Sequence, residues 1–327
     1  MSEKETNSND ESNKKSGLKV YLKILGKILS ILSIIFIVLK ISKMGFDLSV
    51  IDNIPFLLVA SFAALVCKIA SVYTSSRAWG TWISFFSQKE ISRKEVFVIY
   101  GKAGIGKYLP GNVMHYVERN LFAAQYGLSQ KKIAIGSVFE IGTQIVSSLA
   151  LSMILLPVSY WQKAFEIIKY KDHFPVIIVI MVVGFVLFAS IVLVVCKRKM
   201  NGCLRKYISS HLFIAALKAF IRYVSTFVLL GSGMIFLWMS IYGSFPDFEL
   251  IRIMLSSFSI AWVCGFVIPG ASGGIGIREA VLTVLLEGFT DGCVLVFMVI
   301  AHRLITIIGD FAAYGLSLII EKRSRMV

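Results

Sequence analysis

The sequence predicts an all-α polytopic membrane protein. About six transmembrane helices and two opposed re-entrant hairpins form an inverted-topology repeat. Three observations carry this. The chain is 57% hydrophobic, with 16% charged residues and a mean hydropathy of +0.78. Several apolar runs exceed the roughly 18 residues that read as a membrane-spanning helix. Two stretches share one skeleton, G-x3-PG-x7-R: Gly106 to Pro110, Gly111 and Arg119, and Gly265 to Pro269, Gly270 and Arg278. The second lies 159 positions after the first, from Pro110 to Pro269 and again from Arg119 to Arg278.

Residues 1–17 are polar and rich in Ser, Asn, Glu and Lys. Such a segment buries too little apolar surface to fold, so it reads as a disordered cytoplasmic tail. It is long and partly acidic, with no small-residue cleavage site after the first apolar run, so a cleaved signal peptide is not expected. Spanning helices are predicted at 20–42, 54–82, 133–156, 174–196, 212–241 and 292–320. Two apolar but broken segments remain, 94–127 and 252–288. Each divides at its Pro-Gly pair into limbs of about 14 residues, or about 21 Å of helix. That falls short of the roughly 30 Å hydrocarbon core, so each reads as a re-entrant hairpin.

The offset of 159 maps the first, second and third spans onto the fourth, fifth and sixth. Residues 18–165 form one repeat and 174–327 the other, each in the order helix, helix, hairpin, helix. Three crossings per half is an odd number, so the halves insert in opposite orientations. Charge gives a separate reading. With the N-terminus inside, Arg77, Lys89, Arg93, Lys94, Lys102 and Lys107 lie on the cytoplasmic side. So do Lys197, Arg198, Lys199, Arg205 and Lys206, and finally Lys322, Arg323 and Arg325. Orientation follows the Lys/Arg bias, so both termini are expected in the cytoplasm. Only the 157–173 loop, with Lys163, Lys169 and Lys171, runs against this. The same rule accounts for the net charge of +15 without nucleic acid as a partner.

The broken segments hold the candidate site. An intramembrane arginine is costly and by default functional, and a guanidinium grips phosphate oxygens as a rigid fork. Arg119 and Arg278 therefore read as a shared anion site, or else as two side chains snorkelling to separate headgroup layers. The turn Pro269-Gly-Ala-Ser-Gly273-Gly274-Ile-Gly276 opens a helix, and its amides suit an anion. Close helix packing through small residues explains the same glycines. His115 shares a helix face with Arg119 and either lines the site or pairs locally. Glu118 and Glu279 adjoin the two arginines. With Glu140, Asp310 and Arg303 they read as charge-balancing or proton-coupling groups, Arg303 with Asp310 being one static pair. Lys218 and Arg222 read as snorkelling side chains.

Gly101 to Lys107 fits G-x4-GK, but Tyr108 follows where a phosphate-binding loop needs Ser or Thr, so nucleotide hydrolysis is not expected. The five cysteines form no C-x-x-C pair and read as small buried apolar residues. Neither a metal nor any cofactor is expected, and no convincing catalytic motif stands out.

With these residues in view, the chain resembles the flippase-like family named after the transmembrane region of lysylphosphatidylglycerol synthase. The matching pieces are Leu109-Pro110-Gly111 with Arg119, and Pro269-Gly270 through Gly276-Ile277-Arg278-Glu279-Ala280. Ala271-Ser272 alters the start of the family's Pro-Gly-Gly-x-Gly-x-Arg-Glu signature. Asn112 stands where Lys or Gly is common, and Glu118 directly precedes Arg119. The resemblance implies translocation of an anionic phospholipid or a polyprenyl-phosphate-linked lipid between leaflets of the cell membrane, in the service of envelope assembly. The chain ends at Val327, without the aminoacyl-transfer domain of larger members, so lipid aminoacylation is not implied. Two other readings stay open: an integral membrane transferase or hydrolase acting on a lipid-linked phosphate, and an accessory subunit. The latter would dock a cytoplasmic envelope-biosynthesis enzyme on the basic 197–211 loop.

Overall fold

The computed structural model describes residues 53–109, 113–157, 160, 210–268 and 272–325. Among these, every regular element is helical: α1 (Ile54–Ser87), α2 (Arg93–Ala103), α3 (Met114–Ala124), α4 (Gln130–Leu155), α5 (Ser210–Tyr242), α6 (Phe248–Val267), α7 (Ile277–Leu285) and α8 (Gly292–Arg325). Short 3-10 turns at Gly104–Tyr108 and Ser272–Gly274 follow α2 and precede α7. The predicted spans 20–42 and 174–196, both Pro-Gly breaks and Asn112 lie outside the described residues.

Among the described residues, five helices are long and apolar enough to cross a membrane: Ile54–Ser87, Gln130–Leu155, His211–Tyr242, Phe248–Val267 and Gly292–Ser324. The chain is thus an all-helical, multi-pass membrane protein. Its outer faces suit lipid, with Phe62, Ile154 and Phe213 all more than 60% exposed. The predicted spans 54–82, 212–241 and 292–320 each fall within one of these helices, and 133–156 overruns Gln130–Leu155 by one residue. The fifth candidate, α6, was expected as a hairpin limb of about 14 residues; it runs for 20. Asp247 accounts for its early start, since its side chain accepts from the Leu250 amide at 2.7 Å and caps the helix. The limbs of the first broken segment are short, 11 residues each in α2 and α3.

Packing follows the repeat. The counterparts α1 and α5 pack along each other, joined by Thr74 to Thr226 at 2.8 Å and Ser75 to Thr226 at 3.2 Å. Helix α2 packs on α8 as α6 packs on α4, and α1 on α8 as α5 on α4. Each broken segment therefore leans on the last helix of the other half. Small residues permit the approach: a Cβ at Gly101 of α2 would collide with Ser317 of α8. The Arg222 guanidinium donates to the Arg77 carbonyl at 2.8 Å and to the Thr81 hydroxyl.

Candidate functional site

Between α1, α2, α5, α6 and α8 lies a cavity of about 160 Å³. That is room for several waters or one small polar group. The two motif arginines, Arg119 and Arg278, both line it, together with His115, Gly273, Glu279, Arg303 and Asp310. The two 3-10 turns meet beside it, where the Tyr108 ring lies against Gly273.

The arginines are not equivalent. Arg119 is 2% exposed, and its Nη1 donates to both oxygens of Glu140 at 2.7 and 2.8 Å. Its Nε donates to the His115 carbonyl at 3.3 Å. Its guanidinium lies 4.6 Å from the ring centres of both Tyr100 and Tyr116. Glu140, fully buried on α4, is thus the charge partner of Arg119. Glu118 points the other way, towards Gly106, where a Cβ would stand 2.5 Å from its Oε2. Sequence neighbours on a helix do not share a face, so adjacency gave no pairing. The His115 ring rests on Tyr116, with a buried Nδ1 that has no hydrogen-bond partner among the described residues.

Arg278 is free of such pairing. Among the described residues no ion pair or hydrogen bond engages it, and its Nε is buried without a partner. Its guanidinium lies 5.7 Å from the Trp262 ring centre. Two glycines make its channel. A Cβ at Gly265 would overlap the Arg278 side chain, and one at Gly274 would stand 2.6 Å from Nε. The first Gly of the repeated motif thus clears the path of the motif's own arginine in the second half. Gly274 also has φ +71°, a left-handed conformation that side-chain-bearing residues rarely adopt.

The glycine-rich turn does not hold open amides throughout. The Gly276 N–H donates to Glu279 Oε2 at 2.6 Å, so the protein's own carboxylate caps α7. Arg303 of α8 holds this tip, with Nε 3.1 Å from Glu279 Oε1 and Nη2 donating to the Gly273 carbonyl at 2.9 Å. Seven residues on, Asp310 holds the other tip. It takes Lys107 at 2.5 Å, the Tyr108 hydroxyl at 2.7 Å and Lys68 of α1 at 2.9 Å. The expected Arg303–Asp310 pair therefore does not form. Seven residues of helix separate the two by about 10.5 Å along the axis, and each faces a nearer partner. Gly309 opens the lane for the Lys68 stem, since a Cβ there would collide with it.

Lys68, Lys107, Tyr108 and Trp262 went unselected in the sequence. Lys68 carried a usable signal, a lone cation inside an apolar span. Lys107 was absorbed into the basic cytoplasmic count. Asp, Glu, His and Cys form no metal-binding group among the described residues.

No family model matches this chain, and no curated protein matches it.

Proposed function

We propose that this protein is a membrane lipid transporter of the flippase-like class. It carries an anionic phospholipid or a polyprenyl-phosphate lipid between leaflets of the cell membrane, a reading that its two Pro-Gly segments support by their resemblance to the family of the lysylphosphatidylglycerol synthase transmembrane region. The observation that carries the reading is Arg278: a guanidinium with no ionic partner among the described residues, in a cavity between helices long enough to cross the membrane. An uncompensated charge inside a membrane protein is costly unless a ligand of opposite charge visits it. A guanidinium offers a phosphate two parallel donors. Arg119, already held by Glu140, lines the same cavity.

In this reading six helices cross the membrane, the two broken segments enter from opposite sides, and both termini are cytoplasmic. The packing of each broken segment on the other half's last helix supports alternating access, because two near-equivalent arrangements open the site to each leaflet in turn.

The test is reconstitution in liposomes with headgroup-labelled lipids and a leaflet-specific quencher. Wild-type protein should accelerate exchange of an anionic lipid over empty vesicles. Arg278→Lys should slow it about tenfold, because charge is kept but the fork is lost, and Arg278→Ala should slow it further. Equal rates for wild type and Arg278→Ala defeat the assignment of the site.

A further inference from the structure

Every charged side chain on the cavity wall can be set against its partner. The cations are Lys68, Lys107, Arg119, Arg278 and Arg303. The acids are Glu279 and Asp310 on the wall, with Glu140 directly behind Arg119. Five cations thus face three acids among the described residues, a surplus of two positive charges. The surplus has an address. Arg119 is matched by Glu140 and Arg303 by Glu279. Lys68 and Lys107 share the single carboxylate of Asp310, which leaves one charge over, and Arg278 supplies the second. Both lie at the meeting of the two tips. Tyr108, next to Lys107, and Arg278 each pack against the adjacent glycines Gly273 and Gly274.

No carboxylate on this wall is left to receive an ammonium group. Asp310 accepts from Lys68, Lys107 and Tyr108, and Glu279 from Arg303 and the Gly276 amide.

We infer that the ligand group of this cavity carries two negative charges on one phosphate end, as a phosphate monoester or a diphosphate does. The inference deepens the transport reading and rests on it for the lipid that bears the group. A phosphodiester supplies one charge and leaves one cation of the cavity wall unmatched. Zwitterionic and aminoacylated headgroups bring an ammonium to a wall whose carboxylates already accept from its own cations. At low effective dielectric each unmatched charge is heavily penalised, so the preference for the dianion is about tenfold or more. The cavity volume suits the phosphate end alone, with the apolar remainder of the lipid outside.

The experiment titrates the purified full-length protein in detergent with dodecyl phosphate, methyl dodecyl phosphate and inorganic phosphate, reading tryptophan fluorescence. It is run at about pH 7, above the second ionisation of a phosphate monoester near 6 while the lysines still carry their protons in part. Dodecyl phosphate is expected to bind about tenfold more tightly than its methyl diester. Lys107→Gln removes one of the two surplus charges, so it should erase that preference while the diester still binds. Lys68→Gln makes the same deletion from α1 and serves if the first variant does not fold. Equal affinity of monoester and diester for wild type overturns the dianion inference and leaves the transport reading intact. An unchanged preference in both lysine variants overturns the charge assignment. If inorganic phosphate binds as tightly as dodecyl phosphate, the dianion inference stands and the lipid reading falls. If neither ester binds, the inference is overturned.

Discussion

The pair Arg119–Glu140 offers a quantitative test of how the site is held. Its side chains are 3% and 0% exposed, and one guanidinium nitrogen reaches both carboxylate oxygens at 2.7 and 2.8 Å. Replacing Glu140 with Ala leaves a guanidinium buried among Trp79, Tyr100 and Tyr116 without an acid. Breaking one side of such a pair costs about 3–5 kcal/mol. The aromatic faces return about 0.5–2 kcal/mol, which the wild type already enjoys, so they do not offset the loss. Glu140→Gln keeps the shape and one acceptor, and should sit near the lower end, about 3 kcal/mol. The double variant Arg119→Gln/Glu140→Gln removes both charges and should be about 2 kcal/mol or more better than the sum of the singles. The assay is reversible unfolding in mixed detergent micelles, followed by tryptophan fluorescence. Trp79 is fully buried 5.8 Å from the Arg119 guanidinium and reports on this place. Additive singles, or a Glu140→Gln variant within about 0.5 kcal/mol of wild type, would refute the pairing as the anchor of this wall.

Two further expectations follow from the same geometry. Gly265→Ala places a Cβ 2.8 Å from Arg278 Nε, so the arginine is pushed from its channel; stability should fall by about 1–3 kcal/mol while lipid exchange falls as far as in Arg278→Ala. Gly104 has open space around it and serves as the control: Gly104→Ala should leave exchange near wild type. For topology, single cysteines in the loops 242–249 and 287–291 should react with an impermeant reagent applied from outside, whereas cysteines in 197–211 should not; the opposite pattern would overturn the cytoplasmic assignment of both termini.

Much of this arrangement was legible before any coordinates. The run of apolar residues from Ile54 and the run from Gly292 announce their helices by length and composition. The repeated Gly, Pro-Gly and Arg positions single out Arg278, because a regular helix has no use for that spacing. The partnerships were not legible. Glu279 sits beside Arg278 in sequence yet faces Arg303, 24 positions away, since successive helical residues point about 100° apart. Glu140 and Arg119 meet only because α3 folds back on α4. The length of α6 was misjudged because the Pro-Gly break drew attention to its end, while its Asp247 cap lay before the segment considered. The role of Lys107 was hidden for a different reason: a cation near a membrane boundary has an ordinary topological explanation that asks for no partner.

Both tips are held by one helix. Arg303 and Asp310 stand seven residues apart on α8, nearly two full turns, and so face the same side. The residues between them include Leu304 and Ile308, each 55% exposed and turned away from the cavity. What this stretch must preserve is therefore its count rather than its side chains. Apolar exchanges at Leu304 or Ile308 leave the spacing untouched. Deleting a single residue there swings Asp310 by about 100° relative to Arg303 and parts the first tip from the second. The helix acts as a ruler, and the site is read off two marks on it.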